Sequence, residues 1–217
     1  MAINLSKGQS INLAKDTAKP ANQICVGLNW GVINKEVAIE VSGGFLGLGT
    51  KTIHKQVKVD VDLDASCVLL NKTKAVLETI SYRQLQSKYG CVNHSGDDRQ
   101  GDTDGDDDLD NEIISVELDR LPNEVDQIIF FLNSFKKQDF AEIPHATIRI
   151  YEGTPDRVDT ILAKFDVANQ NAFAGKVSMI MGKFERQNGD WNFNAIGEPT
   201  DDKALDETVQ TIVQRFA

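Results

Sequence analysis

Short runs in which apolar and polar residues alternate recur along most of this chain, and a period of two suits strands rather than helices. The pattern is visible in SINLA (10–14), QICVGLNW (23–30), EVAIEVS (36–42) and TIHKQVKVDVDL (52–63). It returns in EIISVEL (112–118), QIIFFLNSF (127–135), ATIRIYEG (146–153), TILAKFDV (160–167) and VSMIMGKFERQNGDWNFNAIG (177–197). In the last run Asn188 and Gly189 stand between two alternating arms. Both residues tolerate the positive φ of a type I′ turn, so this segment predicts a hairpin. So many short strands separated by turn residues predict an all-β fold, a sandwich of two antiparallel sheets with the core between them.

At 217 residues, 41% of them hydrophobic, the chain is ample for one well-buried core and short for two ordinary domains. One domain over residues 1–217 is expected. Only the end reads as a helix: DDKALDETVQTIVQRFA places Leu205, Val209, Ile212 and Phe216 on one stripe. Acids come early and Arg215 late, the order that the helix dipole favours. A helix within 200–217, packed on the sandwich, is therefore expected, and its acidic polar face argues against a membrane-surface helix.

The chemistry concentrates in SGDDRQGDTDGDDDLDNE, residues 95–112, which holds nine carboxylates and a single Arg and carries −8 of the chain's net −10. That much like charge is unfavourable unless solvent, salt or a bound cation offsets it. A disordered acidic tail would sit at a terminus, whereas this segment lies between the strand-like GCVNH and EIISVEL. A merely solvated loop needs no Gly96, Gly101 and Gly105 spread among the acids. Those glycines permit sharp reversals that turn carboxylates and backbone carbonyls towards a common point, so the segment reads as a metal-binding loop.

The donors are oxygens, and His54, His94 and His145 are too scattered for a zinc or copper pattern, although His94 adjoins the loop as a supporting group. Hard cations fit, and Ca²⁺ fits best because it accepts six to eight oxygens in flexible geometry. Two ions are within reach of the ligand count. The loop is not an EF-hand: with Gly105 as the required glycine, Gln100 falls at position one and Asn111 at position twelve, and both break the pattern. Further ligands must come from elsewhere, and VDVDLDAS (59–66) is the best candidate. As a strand it would turn Val59, Val61 and Leu63 to the core and line up Asp60, Asp62 and Asp64 on the other face, about 6.5–7 Å apart. Alternating acids on a solvent face are ordinary, so this stretch argues only in company with the loop.

Other functions are disfavoured by what the residues lack. No basic run with interleaved aromatics exists to meet phosphate backbones, so no nucleic-acid partner is expected. The start has no continuous apolar signal core, and no run reaches the ~18 apolar residues of a membrane span. A soluble cytoplasmic protein without membrane insertion is the expectation. Cys25, Cys67 and Cys91 form an odd set without CxxC spacing and read as reduced, mostly buried residues. GGFLGLGTKT (43–52) approaches a P-loop but places Lys51 one residue late, and reads as an apolar hairpin tip. No nucleophile motif is present, so catalysis is not expected. The best enzymatic alternative is a metal-dependent phosphate-ester hydrolase built on the same carboxylates. Direct redox catalysis lacks paired cysteines and a cofactor motif.

Five pieces in order carry a resemblance across almost the whole chain: LSKGQSINLAK (5–15), VGLNW (26–30), DLDASCVLL (62–70), HSGDDRQGDTDGDDD (94–108) and MGKFERQNGDWNFNAIGE (181–198). Together they resemble the TerD family of bacterial tellurium-resistance and stress-response proteins. The resemblance implies a β-sandwich that binds two calcium ions between the DLD strand and the acidic loop. It also implies partners among other proteins of the stress-response system, one of them a membrane protein. Carried over by position, the implied ligands are Asp62 and Asp64 from the strand, with Asp97, Asp98, Asp104, Asp106, Asp107 and Asp108 from the loop, and a backbone carbonyl near Gly101.

Three departures stand out. Gly31 follows Trp30 where the family usually has an acid, so one possible ligand is missing. The loop runs through Asp108 and LDN before Glu112, and either acid could take the place of the family's closing glutamate. The connection between Trp30 and Asp62 is longer than usual, and its added EVAIEVSGGFLGLGTKTIHK could be a hairpin, a flap or a partner surface. The expected function is that of a non-catalytic calcium module in which the ion orders the loop and sets a partner-binding surface.

Overall fold

The computed structural model describes residues 8–13, 23–42, 50–168 and 171–217. Its strands are β1 (Ser10–Asn12), β2 (Gln23–Trp30), β3 (Ile33–Ser42), β4 (Thr50–Val59), β5 (Leu63–Leu70), β6 (Val76–Ile80) and β7 (Val92–His94). Then come β8 (Glu112–Glu117), β9 (Gln127–Ser134), β10 (Ala146–Thr154), β11 (Arg157–Asp166), β12 (Ser178–Gln187) and β13 (Asp190–Thr200), followed by α1 (Leu205–Arg215). Two antiparallel sheets, ordered β1-β13-β12-β9-β5-β6 and β11-β10-β2-β8-β7, face each other across one apolar core. The sandwich with a terminal helix is as the alternation predicts.

The interior strands show why alternation fades in the centre of the larger sheet. In β9, Ile128, Phe130 and Leu132 enter the core between the sheets, while Ile129 and Phe131 enter a second apolar cluster beneath α1. In β5, Leu63, Ala65, Cys67 and Leu69 take the first side and Val68 and Leu70 the second. Both faces are covered, so both must be apolar and the run reads as continuous. The cover is α1, whose Leu205 and Ile212 are buried, with Val209 and Phe216 half-buried against the same cluster. Each fully buried side chain of this kind contributes about 1.5–3 kcal/mol. A buried hydrogen bond from Asn133 Nδ2 to Thr208 Oγ1, 2.9 Å long, fixes the helix position.

The β12–β13 hairpin closes on Asn188 and Gly189, with φ of 52° and 91°, and pairs Gln187 with Asp190. The two positive φ values are those of the expected type I′ turn. A Cβ at Gly189 would meet nothing, so Gly189→Ala isolates the backbone term. Urea denaturation should show a loss of about 1 kcal/mol, and a loss below ~0.3 kcal/mol would contradict the strained-turn account.

Two readings change. VDVDLDAS is not one strand: β4 ends at Val59, β5 begins at Leu63, and residues 60–62 connect them. Val61 and Leu63 are nonetheless core residues, and of the three acids Asp60 stays exposed while two are pulled inward rather than left on a solvent face: Asp62 and Asp64 are only 4% and 3% exposed. The long connection after Trp30 is a hairpin. Among the described residues β3 and β4 pair only with each other, from Ile33–Val59 to Ser42–Thr50. This ribbon is largely exposed and carries Val37, Ile39 and Ile53 on one face. The expected apolar tip lies mostly outside the described residues.

Candidate metal centre

The acidic loop is seated on Trp30. The buried indole donates from Nε1 to the Val61 carbonyl (2.9 Å), its backbone N–H is accepted by Asn111 Oδ1 (2.8 Å), and its carbonyl accepts from Asp102 N–H (2.8 Å). Gly101 has φ +74°, and a Cβ there would overlap the Trp30 ring, so only glycine lets the loop lie this close. Val32 N–H donates to the Asp102 carbonyl (3.1 Å) and Val61 N–H to the Gln100 carbonyl (3.2 Å). The same loop backbone therefore holds both feet of the β3–β4 ribbon. Lys58 at the second foot pairs with Asp104 at 2.9 Å.

From this seat the loop brings carboxylates into two groups. In the first, Asp62, Asp64 and Asp97 each offer an oxygen, and these atoms all lie within 4.8 Å of one another. They line a cavity of about 50 Å³ with Tyr82, Arg99 and Phe135. That is ample room for an ion, since about 10–15 Å³ of such space already holds one water. Burial, with Glu112, Asp62 and Asp97 nearby, pushes the Asp64 carboxyl up to about 8. Burial also raises Asp62, against the pull of Lys136 at 3.9 Å. Two desolvated carboxylates beside the exposed Asp97, crowded around a small cavity, are what a hard cation relieves, so these residues fit an oxygen-liganded ion.

The second group is Asp102, Asp106 and His145, whose donor atoms also lie within 4.8 Å of one another. Asn29, at the end of β2, reaches them with Nδ2, which donates to Asp102 Oδ2 (3.2 Å), to Asp106 Oδ1 (3.3 Å) and to the Leu109 carbonyl. The His145 ring occupies the space above Gly31: a Cβ there would overlap Cε1 and Nδ1. The position after the tryptophan thus faces an imidazole.

Other expected ligands are placed differently. Asp98 caps its own turn, accepting at Oδ1 from the N–H groups of Gln100 (2.9 Å) and Gly101 (3.0 Å). Asp107 and Asp108 are exposed, Asp107 accepting from Leu109 N–H (2.9 Å) and Asp108 having φ +63°. Asp104 is exposed and held low by Lys58. Asp98, Asp104, Asp107 and Asp108 thus lie outside both side-chain groups, and Gly101 contributes its closeness to Trp30.

Glu112, not Asp108, takes the interior place at the end of the loop. Its side chain is wholly buried, accepting from Ala65 N–H at Oε2 (2.8 Å) and from Asp98 N–H at Oε1 (3.1 Å). His94 supports it as expected beside the loop. Nδ1 accepts from Gly96 N–H (3.1 Å), so Nε2 carries the proton and faces the Ala65 carbonyl (3.0 Å) and Glu112 (3.5 Å). Burial raises Glu112, and its hydrogen bonds hold it down only in part. Asp110 pairs with Arg149 at 2.7 Å, in a space that exists because residue 27 is glycine.

Reading the sequence missed Asp102, Asn29, His145 and the role of Glu112. Asp102 was legible in principle as one more acid of the loop. Asn29 comes from β2 and His145 immediately precedes β10, and only the pairing of Thr147 with Asn29 and Ala146 with Trp30 brings them there.

The comparisons with known proteins agree with this architecture. The chain is 33% identical to tellurium resistance protein TerZ of Serratia marcescens over 97% of each chain. It is 32% identical to stress response protein SCP2 of Bacillus subtilis, over 98% of this chain and 100% of that one. A solved homologue of telluride resistance protein (TerD) from Streptomyces coelicolor superposes with a TM-score of 0.62 at 17% identity, over 85% of this chain and 94% of that one, and so shares the fold. The TerD domain model matches residues 1–212, and the chain belongs to the TerD family of tellurium-resistance and stress-response proteins.

Proposed function

We propose that this protein is a non-catalytic calcium module of a cytoplasmic tellurite-resistance and stress-response system. In this reading Ca²⁺ orders the acidic loop against the Asp62–Asp64 segment and so sets a surface for other proteins of that system. The observation that carries the proposal is the cavity between Asp62, Asp64 and Asp97: two of its carboxylates are almost wholly buried, and the cations beside the group stand off, Arg99 3.6 Å from Asp97 and Lys136 3.9 Å from Asp62. An ion there joins segments more than thirty residues apart in sequence. Because the loop backbone also holds Val32 and Val61, its ordering would be felt at the feet of the exposed ribbon.

The cysteines support a non-redox role and a reducing compartment. All three are free and buried, and burial pushes the Cys25 thiol up to about 12 and the Cys67 thiol higher still. Thiols held in that form are poor nucleophiles. No described helix is long and apolar enough to cross a membrane.

Calorimetric titration of chelator-stripped protein with Ca²⁺, repeated in millimolar Mg²⁺, tests the proposal. Binding that survives Mg²⁺ should stabilise the fold by about 2.7 kcal/mol at a hundredfold excess over Kd. Hydrogen exchange should slow over 94–112 and at the ribbon feet. Identical exchange with Ca²⁺ and with chelator would sink the switch. Turnover of an aryl phosphate with Mg²⁺ or Mn²⁺, lost in Asp64→Asn, would instead place the chain among phosphate-ester hydrolases.

A further inference from the structure

The two faces of the β3–β4 ribbon differ in charge. The antiparallel register sets Val37 opposite Lys55, Ile39 opposite Ile53 and Val41 opposite Lys51 on one face. On the other lie Glu36, Ala38 and Glu40, with His54 held by Glu36 at 2.6 Å. Strand alternation thus gives the first face apolar side chains and lysines, Lys35 being the third, and no acid. We propose that this face docks on an anionic lipid surface, so that the ribbon holds the protein against a bilayer without spanning it.

Val37, Ile39 and Ile53 are 41%, 37% and 38% exposed. Ile33 and Val59, at the feet of the same face, pack on the sandwich core, so the apolar row runs outward from a buried origin. A two-stranded ribbon is barely stable in water when nothing covers its apolar face, and exposed apolar rows of this kind mark contact surfaces. Lys35 is held by Glu142 at 3.5 Å, whereas Lys51 and Lys55 have no ion pair among the described residues. Lys58, the lysine of the opposite face, is paired with Asp104. Uncompensated positive charge on the ribbon therefore stands on the apolar face. The two strands hold four lysines and two glutamates, which leaves −12 on the rest of the chain against +2 here, and the joining sequence GGFLGLG adds no charge. Contact with anionic headgroups is thereby confined to the ribbon.

Charge and shape select the occupant. Ten extended residues in each strand make a face about 33 Å long, and a two-stranded ribbon offers no groove for a small ligand. Lysine lays its methylene stem along apolar neighbours and keeps its ammonium at headgroup level. Each lysine near an anionic leaflet strengthens binding about fivefold. A second copy fits less well. Face to face it would set lysine against lysine, and along β4 the row Lys51, Lys55 and Lys58 discourages a further strand. The open strand edges carry backbone groups that need water, so the ribbon lies among headgroups and not in hydrocarbon.

Flotation of the full chain with vesicles tests the docking, in chelator so that calcium bridging contributes nothing. Vesicles of phosphatidylcholine with phosphatidylglycerol should carry the protein, and vesicles of phosphatidylcholine alone should not. Lys51→Glu with Lys55→Glu should lower partitioning at least ~10-fold, and Ile39→Ser with Ile53→Ser at least ~5-fold. Glu36→Gln with Glu40→Gln removes two charges from the far face and should change partitioning less than ~2-fold, because that face is about a screening length away. All six side chains are exposed, so melting temperatures should stay unchanged. Absent binding, equal binding to neutral and anionic vesicles, or an effect of the glutamate pair as large as that of the lysine pair would overturn the docking. A concentration-dependent dimer in light scattering that Ile39→Ser abolishes would also overturn it, assigning the face to a second copy. Equal affinity for polyglutamate would overturn it as well, assigning the face to an acidic protein.

Discussion

Chelator-stripped protein should lose stability as pH rises from about 5 to 8, and saturating Ca²⁺ should flatten that slope. The usual paired carboxylate behaves in the opposite way, because its folded-state pKa is depressed. Asp64 is held near 8 in the folded chain, against about 3.9 in an unfolded one. Between these values the folded state keeps a proton that the unfolded state has released, so stability falls as protons become scarce. Asp62 and Glu112, raised by burial, act in the same direction. Asp104 acts the other way, but it is fully exposed and its pair with Lys58 is screened. Coupling among the acids reduces the effect below that of an independent group, and about 2–4 kcal/mol between pH 5 and 8 is expected. For a chain of this size that is a fall in Tm of roughly 5–15 °C. With Ca²⁺ bound the carboxylates are ionised as ligands and the slope disappears. Asp64→Asn should flatten the curve without metal. A flat Tm in chelator across this range in the unsubstituted protein would show that the three carboxylates are better solvated than the cavity implies.

Strands and loop were legible from the sequence for different reasons. The β2, β8, β10 and β12–β13 runs could be read because most of them bury one face and leave the other partly polar, and because Asn188–Gly189 marks its own turn. β6 went unread, since Val76–Ile80 is a short edge strand with only Ile80 buried. The Asp62–Asp64 segment was found for its acids and misread as a solvent face. Local alternation gives side-chain direction, but it cannot tell open water from a cavity roofed by Tyr82 and Phe135. The acidic loop was legible as chemistry, yet sequence order could not sort its acids. Which of them turn inward depends on Trp30, on the hydrogen bonds of Asn111, and on the register that brings β10 beside β2.

Glu112→Ala should be among the most damaging single changes, costing about 3–5 kcal/mol. Its carboxylate joins the loop to the larger sheet: Oε2 accepts from Ala65 in β5 and Oε1 from Asp98 at the start of the loop. Removing it leaves two interior N–H groups unpaired, each costing about 1–3 kcal/mol, and opens a void beside His94. One term opposes this, because Glu112 is the charge that raises Asp64 most, and its loss relieves that repulsion. The relief is smaller, since desolvation is the larger cause of the Asp64 shift and remains in the variant. Glu112→Gln separates the two terms. Its amide can accept one N–H but must turn its NH₂ towards the other, so it should lose about 1–3 kcal/mol while flattening the pH slope. Denaturant melts of both variants at pH 5 and 8 in chelator, with exchange rates for the Ala65 and Asp98 amides, test the assignment. If Glu112→Ala costs less than ~1 kcal/mol, or leaves both amides protected, the loop is held to β5 by other means. If the cost is as large as expected, the carboxylate that joins loop to sheet also sets the electrostatics of the neighbouring ion cavity, so no substitution at 112 can change one without the other.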